Sequence, residues 1–261
     1  MKFSRNILVV CFLVATSLPA FSQKFLSRPY TEWSTDDAKK IVSESAWAKT
    51  YSSIESGARS SAQSVGRNQR DTVNGGGGRP GSVAQSMGNL PVVIRLHSSA
   101  YVRQALVRLQ QLDAKYDKMN ADQKTTFDAA KKGFLDCVVC NNYYVVTLTK
   151  YTDSSGESVN EGIFQAMKLE DMQGKVSLTN EKGEKRELVQ FTPPKSAGDS
   201  AIFFFKRTDD SGKPLITNDT KDLHFVFSGE FIQSDKRYGG LYPKRFEFDV
   251  AKIIVDEKVQ F

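Results

Sequence analysis

Two cysteines, Cys137 and Cys140, form a Cys-x-x-Cys pair with Val138 and Val139 between them. Such a pair can be a redox dithiol, half of a zinc site or a structural disulfide. A redox pair of the thioredoxin kind follows a strand and opens a helix, whose amino end lowers the pKa of the thiol. Here the pair follows a predicted helix and precedes a predicted strand, and the carboxyl end of a helix disfavours a thiolate. We therefore interpret Cys137 and Cys140 as a structural pair, either a disulfide or two buried thiols, with both valines as core residues.

Metal-ligating residues are scarce in this chain. It contains three cysteines and two histidines, has no second Cys-x-x-Cys, and places His97 and His224 far from the cysteine pair in sequence. A structural zinc site needs four such ligands. The sequence therefore predicts no metal-binding residue, no cofactor-binding residue and no cofactor.

His97 is the candidate for acid–base chemistry, because it ends a predicted strand and precedes Ser98 and Ser99. Ligand sites often lie at the carboxyl ends of strands. A hydrolytic triad also needs a nucleophile and an orienting acid within reach of the imidazole. The G-x-S-x-G motif of the α/β-hydrolases does not occur in the sequence. We interpret His97 as a hydrogen-bonded turn histidine and predict no catalytic residue.

Helix and strand signals surround His97 and the cysteines. An apolar stripe at helical spacing predicts one helix, and its members are Val102, Leu106, Leu109, Leu112, Tyr116 and Met119. Asn120 and Gln123 form a capping-box pattern that starts the next helix. Strand candidates over residues 92–96 and 143–149 flank the two helices. Residues 90–172 are therefore predicted to be a small β-α-α-β unit with a connecting helix.

The last third of the chain has the alternating pattern of β-strands. Large apolar residues recur at every second position over residues 223–227 and 246–250, with His224, Val226, Glu247 and Asp249 between them, and residues 201–205 are apolar at every position. Residues 180–183 end in glycine and have the composition of a hairpin turn. Several short strands with turns between them predict an antiparallel β-sandwich-like domain over residues 173–261. The predicted fold class is therefore α+β, a β-α-α-β unit followed by that domain.

The amino terminus has the features of an export signal. Lys2 and Arg5 precede a nearly unbroken apolar stretch, and Ala20 and Ser22 place small residues at the cleavage positions. The stretch is shorter than the roughly 20 residues that span a bilayer. We predict that residues 1–22 are a signal peptide, that the protein is exported to the periplasm or beyond the cell, and that no integral membrane span remains after cleavage. An exported protein usually meets an oxidising compartment, where a disulfide persists.

Two further segments precede the β-α-α-β unit. Residues 23–55 are predicted to be a helical segment, with Ser34 capping a helix over residues 35–44 and Asp37 in its first turn. Residues 56–89 are rich in glycine and serine and contain hardly any bulky apolar side chain. Such a composition cannot bury enough surface to offset its chain entropy, so this segment is predicted to be a flexible linker.

The charge of the chain excludes some partners. The formal net charge is +6, and it falls to +4 without Lys2 and Arg5, because residues 1–22 contain no acidic residue. A small excess of positive charge over a whole domain does not indicate a nucleic-acid partner. The partner is left unknown, with another cell-envelope protein as one interpretation.

Both ends of the chain carry a family resemblance. Residues 31–51 and 245–261 resemble a group of uncharacterised exported proteins from acidobacteria, which share a tryptophan-containing amino-terminal helix, a Ser-x-Trp-Ala element and a β-rich carboxyl-terminal part. The matching residues here are Trp33, Ser45, Trp47 and Ala48. Ala46 departs from the proline that the resemblance would place there. The resemblance implies a bacterial exported protein, and it implies no activity and no functional residue.

These patterns favour an exported, non-catalytic protein whose β-rich part serves binding or structure. The alternative is a thiol-redox or otherwise cryptic enzyme that uses Cys137, Cys140 or His97. A third hypothesis is an assembly partner at the cell envelope, in which the linker tethers the amino-terminal helix to another subunit.

Overall fold

The computed structural model of the protein describes residues 24–51, 92–150, 163–196, 199–228, 231, 243–255 and 258–259. The predicted signal peptide and the predicted linker lie outside these residues. The described helices are α1 (Thr35–Ser43), α2 (Ala100–Asp113), α3 (Ala121–Asp136), α4 (Ile163–Ala166) and α5 (Leu169–Met172). The described strands are β1 (Ala48–Tyr51), β2 (Val92–Leu96), β3 (Tyr143–Lys150), β4 (Val176–Asn180), β5 (Lys185–Thr192), β6 (Ala201–Lys206), β7 (Asp222–Phe227), β8 (Arg245–Asp249), β9 (Ile254–Val255) and β10 (Lys258–Val259).

Eight of these strands form one antiparallel sheet in the order β1-β2-β3-β6-β5-β4-β7-β8. The first and last strands of this order meet, because the Tyr51 ring lies 4.9 Å from the Phe246 ring and the backbone N–H of Glu247 donates to the Tyr51 hydroxyl at 3.1 Å. The sheet is therefore barrel-like, with helices packed against it, and the α+β class is confirmed.

The predicted β-sandwich is wrong. Strand β3 of the β-α-α-β unit pairs directly with β6, so strands from both predicted parts of the chain share one sheet. The alternation of apolar residues identified the strands correctly, and hydrogen bonding between strands decided which of them became neighbours. The alternation of residues within a strand does not show which other strand it pairs with. The sequence therefore could not distinguish a two-layer sandwich from one closed sheet.

Phenylalanine side chains fill the inside of the barrel. Phe203, Phe205 and Phe225 are fully buried, and the ring centroids of Phe203 and Phe225 lie 5.0 Å apart. Phe246 completes this group at 5.9 Å from Phe225. Such edge-to-face pairs add about 0.5–1.5 kcal/mol to the free energy of burial. The inward positions that the alternation predicts for β7 and β8 are confirmed by this core.

Helix α1 begins as the sequence predicts. The Ser34 hydroxyl accepts from the backbone N–H of Asp37, and the Asp37 carboxylate accepts from the backbone N–H of Ser34. Trp47 follows the helix and is fully buried, with its ring 5.0 Å from that of Tyr101 on α2. The amino-terminal helix is thereby fixed between the sheet and α2.

Helix α2 differs from the predicted stripe. It ends at Asp113, and Lys115 then takes a left-handed conformation with φ of 54°. Its buried face includes Arg103 and Arg108, while Leu106 and Leu109 are only half-buried. These arginines are buried because their guanidinium groups donate to backbone carbonyls elsewhere in the fold, which a stripe of apolar residues does not predict. Helix α3 has the predicted Asn120–Gln123 capping box and contains no buried residue.

Candidate functional site at the cysteine cap

The segment that follows α3 forms a tight turn, and we call residues 134–142 the cysteine cap. Cys137 ends the helix in a left-handed conformation with φ of 41°, and its N–H donates to the carbonyl of Gly133 at 3.1 Å. A short 3-10 turn, Val138–Asn141, follows, in which the N–H of Cys140 donates to the carbonyl of Cys137 at 2.7 Å. The Sγ atoms of Cys137 and Cys140 lie 2.01 Å apart, the distance of a disulfide bond. The three-residue spacing and the 3-10 turn thus bring the two sulfurs together.

The cysteine cap covers the outside of the barrel. Cys137 and Cys140 are buried together with Val145 of β3 and Phe204 of β6, and this cluster is separate from the interior core. Val145 and Phe204 project from the opposite face of the sheet to Tyr144 and Phe205, which belong to the interior core. Strand β6 is apolar on both faces because one face lies inside the barrel and the other lies under the cap.

Val138 and Val139 are exposed, so their prediction as core residues is wrong. Val138 is 75% exposed and Val139 is 39% exposed. In the 3-10 turn the two cysteines take the inward positions, and the two intervening valines therefore point outward. Together with Phe134, which is 37% exposed, they are the exposed large apolar side chains of the described residues.

Arg103 of α2 joins the cysteine cap to the end of β2. Its Nε donates to the carbonyl of Leu135 at 3.0 Å, and its Nη1 donates to the carbonyls of His97 at 3.1 Å and Ser98 at 2.6 Å. The same Nη1 lies 3.7 Å from the Sγ of Cys140. Burial lowers the pKa of Arg103, yet an arginine side chain stays protonated in proteins. A fixed positive charge therefore lies directly beside one sulfur of the pair.

Sequence reasoning missed Arg103 because the search for chemistry was confined to cysteine, histidine and acidic residues. An available signal was the presence of arginines within a segment that otherwise reads as an apolar helix stripe. Buried arginines need partners, and the carbonyls at the end of a helix are natural ones.

His97 lies next to the cysteine cap, half-buried, with its ring 5.1 Å from that of Phe134. Burial, with the positive charges of Arg103 and Arg95, lowers the pKa of His97 to about 4. The imidazole is therefore neutral at pH 7. Within the described part of the chain, no carboxylate and no serine hydroxyl hydrogen-bonds to this ring.

The two serines after His97 have structural positions. The Ser98 hydroxyl accepts from the backbone N–H of Val145 at 3.3 Å, which ties the start of α2 to β3. The Ser99 hydroxyl is buried without a hydrogen-bond partner in the described residues, although Ser99 precedes the first turn of α2. Neither hydroxyl is arranged as a nucleophile activated by His97.

His224 lies elsewhere, on the outer face of β7. Its Nε2 contacts the Nη2 of Arg245 and lies 4.0 Å from a carboxylate oxygen of Glu247. Burial and the charge of Arg245 lower the pKa of His224, against the opposite effect of Glu247. The two histidines are thus in separate places and share no partner.

A shallow cleft lies along the outer side of β5 and β6. Its volume is about 260 Å³, and its lining contains three positive and three negative side chains. The lining residues are Lys185, Arg186, Glu187, Val189, Lys206, Thr208, Asp209 and Asp210. The cleft contains neither His97 nor the cysteine pair, so it does not unite the residues that could do chemistry.

The described residues contain no group of three or more histidine, cysteine or acidic side chains that could hold a metal ion. They also contain no helix with the length and apolar character needed to cross a membrane.

The chain matches no family model, no curated protein and no solved structure.

Proposed function

We propose that this chain is an exported bacterial protein with a non-catalytic role in binding or in structure. The observation that carries the proposal is the filled interior of the barrel. Phe203, Phe205, Phe225 and Phe246 are each less than 2% exposed and contact one another there. A barrel that holds a small ligand needs an apolar cavity with a few polar groups. Within the described residues, this filled core leaves the outer surface as the place for binding.

The cysteine cap supports the export part of the proposal. The sulfurs of Cys137 and Cys140 are at disulfide distance, and disulfides persist in the periplasm and outside the cell. The predicted signal peptide agrees with this location, and the resemblance to exported acidobacterial proteins is part of the same proposal.

The exposed tip of the cysteine cap favours a protein partner over a small molecule. Phe134, Val138 and Val139 protrude from the surface, whereas small ligands bind in concave sites. Protein partners commonly contact such apolar side chains. We propose another cell-envelope protein as the partner. The alternative role, a thiol-redox or cryptic enzyme using Cys137, Cys140 or His97, gains one supporting observation, the contact between Arg103 and Cys140.

A titration with a small apolar fluorophore tests the filled interior. We expect 1-N-phenylnaphthylamine to show no saturable binding to the native protein. The variant Phe225→Ala is the positive control, because it opens a cavity in the same core and gives the probe a site. Saturable one-to-one binding by the native protein, lost in a variant that enlarges Ala201 to Phe, would overturn the proposal.

A further inference from the structure

We propose that Cys137 and Cys140 form a thiol–disulfide exchange site for a cysteine thiol of another exported protein, with Cys137 as the attacked sulfur and Cys140 as the leaving group. This inference goes beyond the proposed binding role and does not rest on it: the exchange consumes one disulfide per chain and is not a catalytic turnover. It rests on the contact between the Arg103 guanidinium and the Sγ of Cys140 at 3.7 Å. A disulfide sulfur is neutral and gains little from an adjacent cation, whereas a thiolate at the same position gains a charge-assisted contact.

The guanidinium is held in place before any reaction takes place. Its hydrogen bonds to the carbonyls of Leu135, His97 and Ser98 fix it between α3 and the end of β2. Asp136 and Arg207 are the other ionised groups that act on Arg103, with opposite signs. A charge fixed in advance stabilises the leaving thiolate without reorganisation.

The helix dipole distinguishes the two sulfurs. Cys137 ends the sixteen-residue helix α3, whose carboxyl end disfavours negative charge. Cys140 lies beyond the turn, against Arg103. Exchange proceeds faster when the leaving thiol has the lower pKa. Attack at Cys137 with departure of Cys140 is therefore the favoured direction. Both cysteines are buried, at 8% and 4% exposed, and Cys137 is the direct neighbour of the exposed Val138.

The reaction balances as a two-step exchange. The incoming thiolate bonds to the Sγ of Cys137, the sulfur–sulfur bond breaks, and its electron pair leaves with Cys140 as a thiolate beside Arg103. A second thiol of the partner then displaces Cys137 from this mixed disulfide. Two partner thiols are oxidised to one disulfide, the cysteine pair is reduced to a dithiol, and the two protons of the partner thiols end on Cys137 and Cys140.

Single-cysteine variants of the exported chain test the proposal. Residues 23 onward contain only this cysteine pair, so Cys137→Ser leaves Cys140 as the single thiol and Cys140→Ser leaves Cys137. The probe is iodoacetamide, and the rate of alkylation is measured against pH. We expect the pKa of the Cys140 thiol to lie at least one unit below the usual value of about 8.5, which gives about tenfold more thiolate at neutral pH. Cys137 is expected at or above the usual value.

The charge of Arg103 is tested in the same assay. Adding Arg103→Gln to Cys137→Ser is expected to lower the alkylation rate of Cys140 at pH 7 about tenfold, whereas the control Arg28→Gln, an exposed arginine that pairs with Asp37 on α1, leaves it unchanged. A Cys140 thiol with a pKa of about 8.5 or higher, or a rate unaffected by Arg103→Gln, overturns the proposal.

The native disulfide gives an independent readout that needs no Arg103 variant. Reduced glutathione is added to the oxidised protein, the products are trapped with acid, and the site of the adduct is mapped by mass spectrometry. We expect the mixed disulfide on Cys137. An adduct on Cys140, or no adduct within hours at millimolar glutathione, overturns the proposal and leaves the non-catalytic binding role unaffected.

Discussion

The Tyr51 hydroxyl accepts a hydrogen bond from the backbone N–H of Glu247, and this bond joins the first strand of the barrel to the last. The two residues are 196 positions apart in the chain. Burial raises the pKa of Tyr51, in agreement with a phenol held between two strands. Among the described residues β1 and β8 share no backbone ladder, so the Tyr51 side chain carries the contact that closes the sheet.

Removing the Tyr51 hydroxyl is expected to weaken this closure. Tyr51→Phe keeps the ring contact with Phe246 and loses one hydrogen bond, so the free energy of unfolding should fall by about 1 kcal/mol. Urea unfolding measures this change in the free energy of unfolding. Tyr143→Phe is the matched control, because the Tyr143 hydroxyl has no hydrogen-bond partner in the described part of the chain. Equal midpoints for Tyr51→Phe and the unaltered protein would contradict the closing role.

The two helix caps are expected to respond differently to alanine. Ser34→Ala removes the reciprocal cap of α1 and should lower the free energy of unfolding by about 1 kcal/mol. Ser99→Ala is the control at the equivalent position of α2, where the hydroxyl makes no capping bond and is buried without a partner. That change should be neutral or stabilising. Thermal unfolding of both variants measures these changes. An equal loss of stability in both variants would contradict the capping assignment.

We expect the free energy of unfolding to depend on the buried side of the cysteine cap and hardly on its exposed side. Val145→Ala opens a cavity under the disulfide and should cost about 2 kcal/mol. Val138→Ala removes a side chain that is mostly exposed and should change stability by less than about 0.5 kcal/mol. Guanidinium unfolding compares the two. A larger loss for Val138→Ala than for Val145→Ala would mean that the outward orientation of the turn is incorrect.

Stability is expected to depend on pH through His97. Its pKa is about 4 in the folded protein, below the ordinary value of 6.5, so the unfolded chain binds more protons between these values. Stability from this group is complete above about pH 6.5 and is lost as the pH falls toward 4. Urea midpoints at pH 5 and pH 7 measure the difference, and His97→Gln should reduce it. His224→Gln is the control, because it leaves His97 unchanged and should keep the His97 contribution to the pH dependence of stability. An unchanged difference in His97→Gln would contradict the lowered pKa.

The sequence was sufficient for most elements and insufficient for their arrangement. The serine cap of α1 and the alternation at Phe225 and Phe246 are local patterns, and each predicted its element correctly. The pairing of β3 with β6 is a long-range choice that local periodicity does not encode, which is why the predicted sandwich is wrong. Arg103 escaped notice for a similar reason, because its partners come from the turn after β2 and from α3 rather than from its own helix.

The candidate site was predicted in part. The cysteine spacing and the order of helix and strand were read correctly from the residues. The outward position of Val138 and Val139 was not, because two adjacent valines are usually buried and only the 3-10 turn between the cysteines reverses that preference.

The composition of strand β6 makes the unfolded chain prone to aggregation. Its residues from Ala201 to Phe205 are uncharged, aromatic-rich and free of proline, which is the composition of segments that self-associate into cross-β aggregates. In the folded protein both faces are covered, one by the barrel interior and one by the cysteine cap. Asp199 and Lys206 flank the segment and act as charged gatekeepers against aggregation. The yield of soluble protein on refolding should therefore fall with concentration more steeply when Lys206 is replaced by an uncharged residue.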